Sequence, residues 1–134
     1  MIIKKTFDES KEIVVSKKEL RLFVLNCLEK VACSVAHAQQ LADILICSDY
    51  RGHYSHGLNR LHVYVNDLAE KSTERDGEPT IIKQKGSTAW VDGCNLLGPV
   101  VGNFCMKLAI QKVRIFFTRR QHTRSRKFLV VVFR

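Results

Sequence analysis

At 134 residues, with 46% hydrophobic and 26% charged residues, the chain has the size and composition of one folded domain, which excludes wholesale disorder. No apolar run approaches the ~20 residues of a membrane helix, and the first residues lack the apolar segment of a secretory signal, so we expect a cytoplasmic protein that contacts no membrane. The net charge of +9 does not favour nucleic acid as the partner, because seven of the basic residues and no acidic residue lie in residues 114–134.

Three amphipathic helices are predicted in the first half of the chain. Ser16 and Glu19 have the spacing of a capping box, and the apolar residues behind them recur at helical intervals to about Val31. Ser34 can cap a second helix, which we expect to end within residues 49–52. Beyond the Ser-His-Gly sequence at residues 55–57, apolar residues again follow helical spacing and predict a third helix.

The pattern changes in the second half of the chain. Residues 71–79 contain Gly and Pro but no apolar side chain, so they are predicted to form a connection. Residues 80–85 and 88–91 have the composition of two short strands joined by a tight turn, and Asp92 with the following glycine ends the second strand. Helical spacing returns within residues 97–113.

These elements predict an α+β fold made of three regions. Residues 1–75 form an N-terminal three-helix subdomain, and residues 76–113 supply the β-hairpin and helix that begin a larger, truncated sheet domain. Residues 114–134 form a basic and apolar tail, because the helical spacing is lost after Lys112. The tail contains an apolar hexamer, residues 128–133, which has the character of a strand but no predicted partner.

The residues best suited to chemistry lie within residues 49–61, between the second and third helices. Ser55 and His56 are adjacent at a predicted helix start, where free amides favour an anion. Arg60 follows His56 at the i+4 position, so both side chains can face the same space. The guanidinium can bind a carboxylate through two hydrogen bonds, and the imidazole can exchange a proton near neutral pH.

Each of these residues also has a purely structural interpretation. Judged from the residue types alone, this interpretation is favoured over a functional site. Ser55 can be a helix cap, His56 a solvated side chain and Arg60 a surface cation. We interpret His37 and His62 as structural. The five cysteines include no CxxC pair, so they predict reduced core thiols rather than a metal site or disulfides.

Two segments match the motifs of one known family. In residues 42–61, an acidic and basic turn leads into Ser-His-Gly and then, three positions on, Arg. In residues 90–102, a strand is followed by Asp-Gly, Asn, Leu-Gly and Val-Gly before a helix. Both segments resemble the malate/L-lactate dehydrogenase-like oxidoreductases, a family unrelated to the Rossmann lactate dehydrogenases. The resemblance extends from about Ser16 to Lys112.

The resemblance implies hydride transfer between a nicotinamide cofactor, NAD or NADP, and a small 2-hydroxy, 2-oxo or imino acid. It assigns Ser55 and His56 to a proton relay and Arg60 to binding of the substrate carboxylate. The family's cofactor domain is not a Rossmann fold, so the absence of a GxGxxG motif is no objection. We also expect a homodimer, because the apolar helix faces need further cover.

Members of the family continue beyond the position that matches Lys112. Their following segments contain a catalytic histidine, an acidic partner for the relay and the cofactor contacts. His122 does not reproduce that segment, so we assign no cofactor-binding residue and no metal ligand. We expect the chain alone to be a truncated form that binds no nicotinamide tightly and is not catalytically competent. For residues 114–134 our hypothesis is a retained intron or a frameshift.

Two further classes of function are considered. The chain could be a non-catalytic interaction fragment that pairs with the full-length enzyme through its helical surface. It could also bind nucleic acid through the basic tail, with Phe116, Phe117 and Phe128 stacking on bases. We weigh nucleic acid lower, because an apolar terminal hexamer suits neither a solvated arm nor a stacking surface.

Overall fold

The computed structural model describes residues 14–118 and 130–133, and it has the predicted α+β fold. Two 3-10 turns precede the third helix, and a third strand follows the fourth helix. The elements in chain order are α1 (Lys17–Lys30), α2 (Val35–Tyr50), the 3-10 turns Tyr54–His56 and Leu58–Arg60, α3 (Leu61–Ala69), β1 (Thr80–Lys85), β2 (Thr88–Asp92), α4 (Gly98–Thr118) and β3 (Val130–Phe133).

The predicted capping box at the start of α1 is confirmed. The Ser16 hydroxyl accepts a hydrogen bond from the Glu19 amide at 3.2 Å, and the Glu19 carboxylate accepts one from the Ser16 amide at 3.1 Å. These two bonds satisfy amides that a helix start would otherwise leave unpaired. The predicted end near Val31 is also confirmed, since Val31 is the C-cap.

Helix α2 lies at the centre of the larger apolar core. Ser34 caps it by accepting from the His37 amide at 3.4 Å, and the helix ends at Tyr50, both as predicted. The core combines residues from α1, α2 and α3 with residues at the start of α4. Its fully buried large side chains are Val24, Leu28, Leu41, Leu45, Leu68 and Leu97.

The predicted hairpin is formed by β1 and β2, which pair antiparallel with a register irregularity between Ile81 and Lys83. Gly86 has a φ of +56° in the connecting turn, a conformation that favours glycine. On β2, Ala89 and Val91 are buried and pack with Cys105 of α4 in a second, smaller core. The hairpin therefore packs on α4 through one face of β2.

The structure corrects two predictions for the last part of the chain. Helix α4 continues to Thr118, so the predicted loss of helical structure after Lys112 is wrong. A helix can continue without an apolar stripe where no Gly or Pro interrupts it, as in residues 113–118. The apolar hexamer, left without a partner in the prediction, forms β3 over Val130–Phe133 and pairs parallel with β2. The remaining tail residues, including His122 and Phe128, lie outside the described part of the chain.

Candidate active site

The loop between α2 and α3 holds all three predicted site residues. The prediction placed Ser55 and His56 at the start of the third helix, but α3 begins only at Leu61 and has no side-chain cap. Ser55 and His56 instead lie in the first 3-10 turn, and Arg60 ends the second. Gly57, with φ −97° and ψ −144°, separates the two turns, because this ψ value does not continue a helical path.

The loop nevertheless brings Ser55 into hydrogen-bond contact with both His56 and Arg60. Ser55 Oγ lies 2.8 Å from His56 Nδ1, a hydrogen bond whose direction depends on the imidazole tautomer. Arg60 Nε donates to the Ser55 carbonyl oxygen at 3.0 Å. All three side chains are exposed. The arrangement pairs an imidazole with a hydroxyl and places a guanidinium beside the same short segment.

The end of α2 holds this loop through side-chain and backbone contacts. Asp49 Oδ2 accepts a hydrogen bond from the Leu58 amide at 2.9 Å, and the Ser48 carbonyl accepts one from the His53 amide at 2.8 Å. Gly52, with a φ of +80°, allows the chain to turn away from the helix. The sequence motif assigns Asp49 no role, because the partner of its hydrogen bond lies nine residues away and no local pattern marks that contact.

The charge of the loop suits an anionic ligand. Residues 50–60 contain Arg51, Arg60 and two histidines and no acidic residue, while the carboxylate of the preceding Asp49 is bound to the Leu58 amide. The one ion pair within the described residues joins Arg21 and Asp43, so the guanidinium of Arg60 has no carboxylate partner there. An exposed guanidinium that is not paired with a carboxylate of its own chain can bind the carboxylate of a ligand through two parallel hydrogen bonds.

The second matched segment, before α4, has a structural role in this chain. Asp92 Oδ1 accepts from the Cys94 amide at 2.8 Å, and the Asn95 side chain donates to the Ser72 carbonyl at 2.7 Å. Cys94 and Asn95 adopt φ values of +52° and +53°, and the Asn95 carbonyl accepts from the Glu74 amide. The segment therefore holds the 70–79 connection against the start of α4.

A cleft of about 530 Å³ adjoins this segment, but its residues do not fit a dinucleotide phosphate. The lining residues are Asp92, Gly93, Asn95, Leu96, Gly98, Val101 and Gly102, which include a carboxylate and no Lys or Arg. A Cβ added at Gly98 or Gly102 would meet no atom within 4 Å. Packing within the chain therefore requires glycine at neither position.

The described residues contain no group of three or more His, Cys, Asp or Glu side chains that could hold a metal ion.

All five cysteines are free thiols. Burial raises the pKa of the Cys33 thiol, with the charge of Asp76 adding to the effect, and burial also raises the pKa of Cys105. Both thiols therefore stay protonated at neutral pH, and a thiol is a poor nucleophile and metal ligand. Within the described residues, no helix is both long and apolar enough to cross a bilayer.

Comparison with known proteins identifies one family. A sequence model of the malate/L-lactate dehydrogenases matches residues 15–116. The malate/(S)-sulfolactate dehydrogenase of Methanothermus fervidus is 33% identical over 102 residues, which cover 76% of this chain and 30% of that protein. The malate dehydrogenase of Pyrococcus abyssi is 35% identical over 113 residues, covering 84% of this chain and 31% of that protein.

A solved structure agrees with these matches. The malate dehydrogenase of Pyrococcus horikoshii OT3 superimposes with a TM-score of 0.74 at 36% identity, over 77% of this chain and 30% of that one. The likeness therefore covers fold as well as sequence. The chain spans about 30% of the length of the relatives that it matches.

Proposed function

Because the chain belongs to the malate/L-lactate dehydrogenase family, we propose that it supplies the substrate-binding and proton-transfer residues of an NAD(P)-dependent oxidoreductase. The proposed substrate is a small 2-hydroxy or 2-oxo acid, in keeping with relatives named malate and sulfolactate dehydrogenases. The main observation in support is the 2.8 Å contact between Ser55 Oγ and His56 Nδ1, within the segment that resembles the family signature.

His56 is the proposed acid and base at the substrate oxygen. When its Nδ1 donates to Ser55 Oγ, Nε2 is unprotonated and can accept the hydroxyl proton of a 2-hydroxy acid. In the reverse direction the protonated imidazole, whose Nδ1 still donates to Ser55 Oγ, gives its Nε2 proton to the oxygen of a 2-oxo acid and returns to the neutral form. The same hydrogen bond therefore serves both directions of the reaction.

Arg60 is the proposed carboxylate-binding residue. Its Nε donates to the Ser55 carbonyl at 3.0 Å, which keeps the guanidinium next to the Ser55–His56 pair. The two terminal nitrogens remain for the carboxylate of the substrate, which would hold the neighbouring carbon and its oxygen in one place.

The hydride carrier in this proposal is NAD or NADP. The cleft before α4 has no Lys or Arg in its lining, so we derive no step of the reaction through the cofactor and assign no residue of this chain to it. A homodimer and a cytoplasmic location, both expected from the sequence, also belong to the proposal. The assignment of the proton relay and of the carboxylate site concerns Ser55, His56 and Arg60 alone.

An NMR titration of the 134-residue chain with L-malate tests this assignment. We expect malate to shift the ring signals of His56, and Arg60→Ala to weaken that binding by about tenfold or more, because a hydrogen bond to a charged group contributes about 1.5–3 kcal/mol. Arg21→Ala is the matched control, since Arg21 is an arginine on α1 that pairs with Asp43 and not with the loop, and it should change affinity by less than about twofold. If neither malate nor pyruvate shifts the His56 signals, or if Arg60→Ala binds malate as the unchanged chain does, the assignment is wrong.

A further inference from the structure

A carboxylate at the end of α2 binds the backbone of the loop between His56 and Arg60. Asp49 Oδ2 accepts a hydrogen bond from the Leu58 amide at 2.9 Å, and Leu58 begins the second 3-10 turn. The amide at the start of a helical turn has no partner within the turn, so a carboxylate is well placed to bind it. Asp49 therefore joins the last turn of α2 to the segment that ends in Arg60.

Gly57 leaves the space that this carboxylate occupies. Gly57 is buried, and a Cβ built on it would lie 1.6 Å from Asp49 Oδ1 and 2.2 Å from Asp49 Cγ. Its φ of −97° lies outside the left-handed region, so the φ angle does not require glycine. The requirement for glycine at residue 57 is steric, and the Asp49 side chain imposes it.

The contact lies in the middle of the candidate site. Ser55 and His56 directly precede Gly57, while Arg60 follows Leu58 by two residues and donates to the Ser55 carbonyl. The Arg60 amide also donates to the Gly57 carbonyl at 2.9 Å. Because the three functional side chains are exposed, packing does little to orient them, and the backbone path around residues 57 and 58 decides where they point.

We propose that Asp49 is a positioning residue, which acts through the Leu58 amide to hold His56 and Arg60 toward one substrate. This inference rests on the proposed function of the loop and adds to it a residue that the sequence motif left without a role. A carboxylate that accepts from a backbone amide forms a stronger hydrogen bond than a neutral acceptor. The contact of Asp49 with Gly57 and Leu58 therefore holds the backbone of the loop against the end of α2.

The test compares variants of Asp49 in the full 134-residue chain by NMR of labelled histidines and by L-malate titration. We expect Asp49→Ala to shift or broaden the His56 ring signals and to weaken malate binding by about tenfold or more. Asp49→Asn should stay within about threefold of the unchanged chain, since its amide oxygen can accept the same bond. Asp43→Ala is the matched control, because Asp43 lies on the same helix and pairs with Arg21 instead of with the loop.

A second variant tests the steric half of the proposal. Gly57→Ala should reproduce the effects of Asp49→Ala, because the added methyl group displaces the carboxylate from Leu58. In a chain that already contains Asp49→Ala, the same substitution should change malate affinity by less than about threefold, since the space is then empty. This non-additivity is the signature of two residues that act as one unit.

Three results would overturn the proposal. The first is a folded Asp49→Ala chain with unchanged His56 signals and unchanged malate affinity, and the second is a folded Asp49→Asn chain as impaired as Asp49→Ala. The third is an equal effect of Gly57→Ala with and without Asp49. If Asp49→Ala does not fold, Asp49→Asn and Gly57→Ala decide the question. If the unchanged chain binds no malate while Asp49→Ala still alters the His56 signals, the proposed function is wrong and the positioning role stands.

Discussion

At the scale of single residues, the side chains suited to chemistry are held by hydrogen bonds and not by packing. Ser55, His56 and Arg60 are exposed, and the contacts that orient them run within the loop. Exposed hydrogen bonds compete with water and contribute little net free energy each. The orientation of these groups therefore depends on the path of the backbone, which makes the buried glycine at residue 57 and its contact with Asp49 important.

The capping box of α1 leads to a prediction about pH. Hydrogen bonds from the Ser16 hydroxyl and amide lower the pKa of Glu19 below its usual 4.5. A carboxyl group whose pKa is lower in the folded state adds stability above its unfolded pKa, and this contribution is lost as the pH falls through the folded value. We expect Glu19→Gln to lower the urea midpoint of unfolding at pH 7, and the difference from the unchanged chain to be smaller in a measurement at about pH 3.

The control for this prediction is Glu29→Gln, in the last turn of the same helix. Circular dichroism of both variants and the unchanged chain in urea, at the two pH values, provides the measurement. A difference for Glu19→Gln that is equally large at both pH values would contradict the assignment of the effect to an ionised cap.

At the scale of elements, α2 organises the helical half of the fold. It contributes His37, Ala38, Leu41, Ala42 and Leu45 to the buried residues, and its two ends hold two different connections. The C-terminal end holds the candidate site through Asp49. At the other end, the amide of Ser34 donates to the Arg75 carbonyl, and His37 Nε2 lies 2.9 Å from the Gly77 carbonyl.

The contact between His37 and Gly77 predicts a large loss of stability in His37→Ala. The side chain is 3% exposed, so its removal leaves a cavity and a carbonyl without its partner. We expect the free energy of unfolding to fall by on the order of 3 kcal/mol. His62→Ala, at an exposed position on α3, is the matched control and should cost about 0.5 kcal/mol or less. Urea unfolding would measure both, and similar costs for the two variants would argue against a structural role for His37.

Element by element, the sequence predicts the helices and the hairpin well because their signals are local. The capping residues Ser16 and Ser34 and the spacing of apolar residues determine where α1 and α2 begin and end. The site loop is different, since one glycine separates it into two turns. The prediction treated Ser55 and His56 as a helix start, and helical spacing alone could not show that Gly57 interrupts the path.

At the scale of the whole molecule, the two halves of the chain share one core. Leu96, Leu97 and Val100, at the start of α4, pack with buried residues of α1, α2 and α3.

The predicted division at residues 75 and 113 stays a prediction, as does the assignment of residues 114–134 to a region outside the family. Several large apolar side chains, such as Phe23, Trp90 and Met106, are exposed on different elements.

The limited length of the match leads to a prediction about activity. The chain corresponds to about 30% of the length of its relatives, and the cleft before α4 has no Lys or Arg in its lining. We expect the purified chain to oxidise neither NADH nor NADPH with pyruvate or oxaloacetate, as followed by absorbance of the reduced cofactor. Turnover that disappears in a His56→Ala variant would contradict this expectation and would place the complete reaction centre within the 134 residues.

The sequence by itself determined the family, the α+β class, the position of most elements and the residue types suited to the proposed reaction. These properties follow from local spacing and from motifs that lie within a short stretch of chain. Only the tertiary structure decided that Ser55 contacts His56 within a 3-10 turn, that Asp49 binds the Leu58 amide, and that β3 pairs with β2. Each of these contacts depends on the path of the backbone in three dimensions, which determines which donor meets which acceptor and has no periodic signal in the sequence.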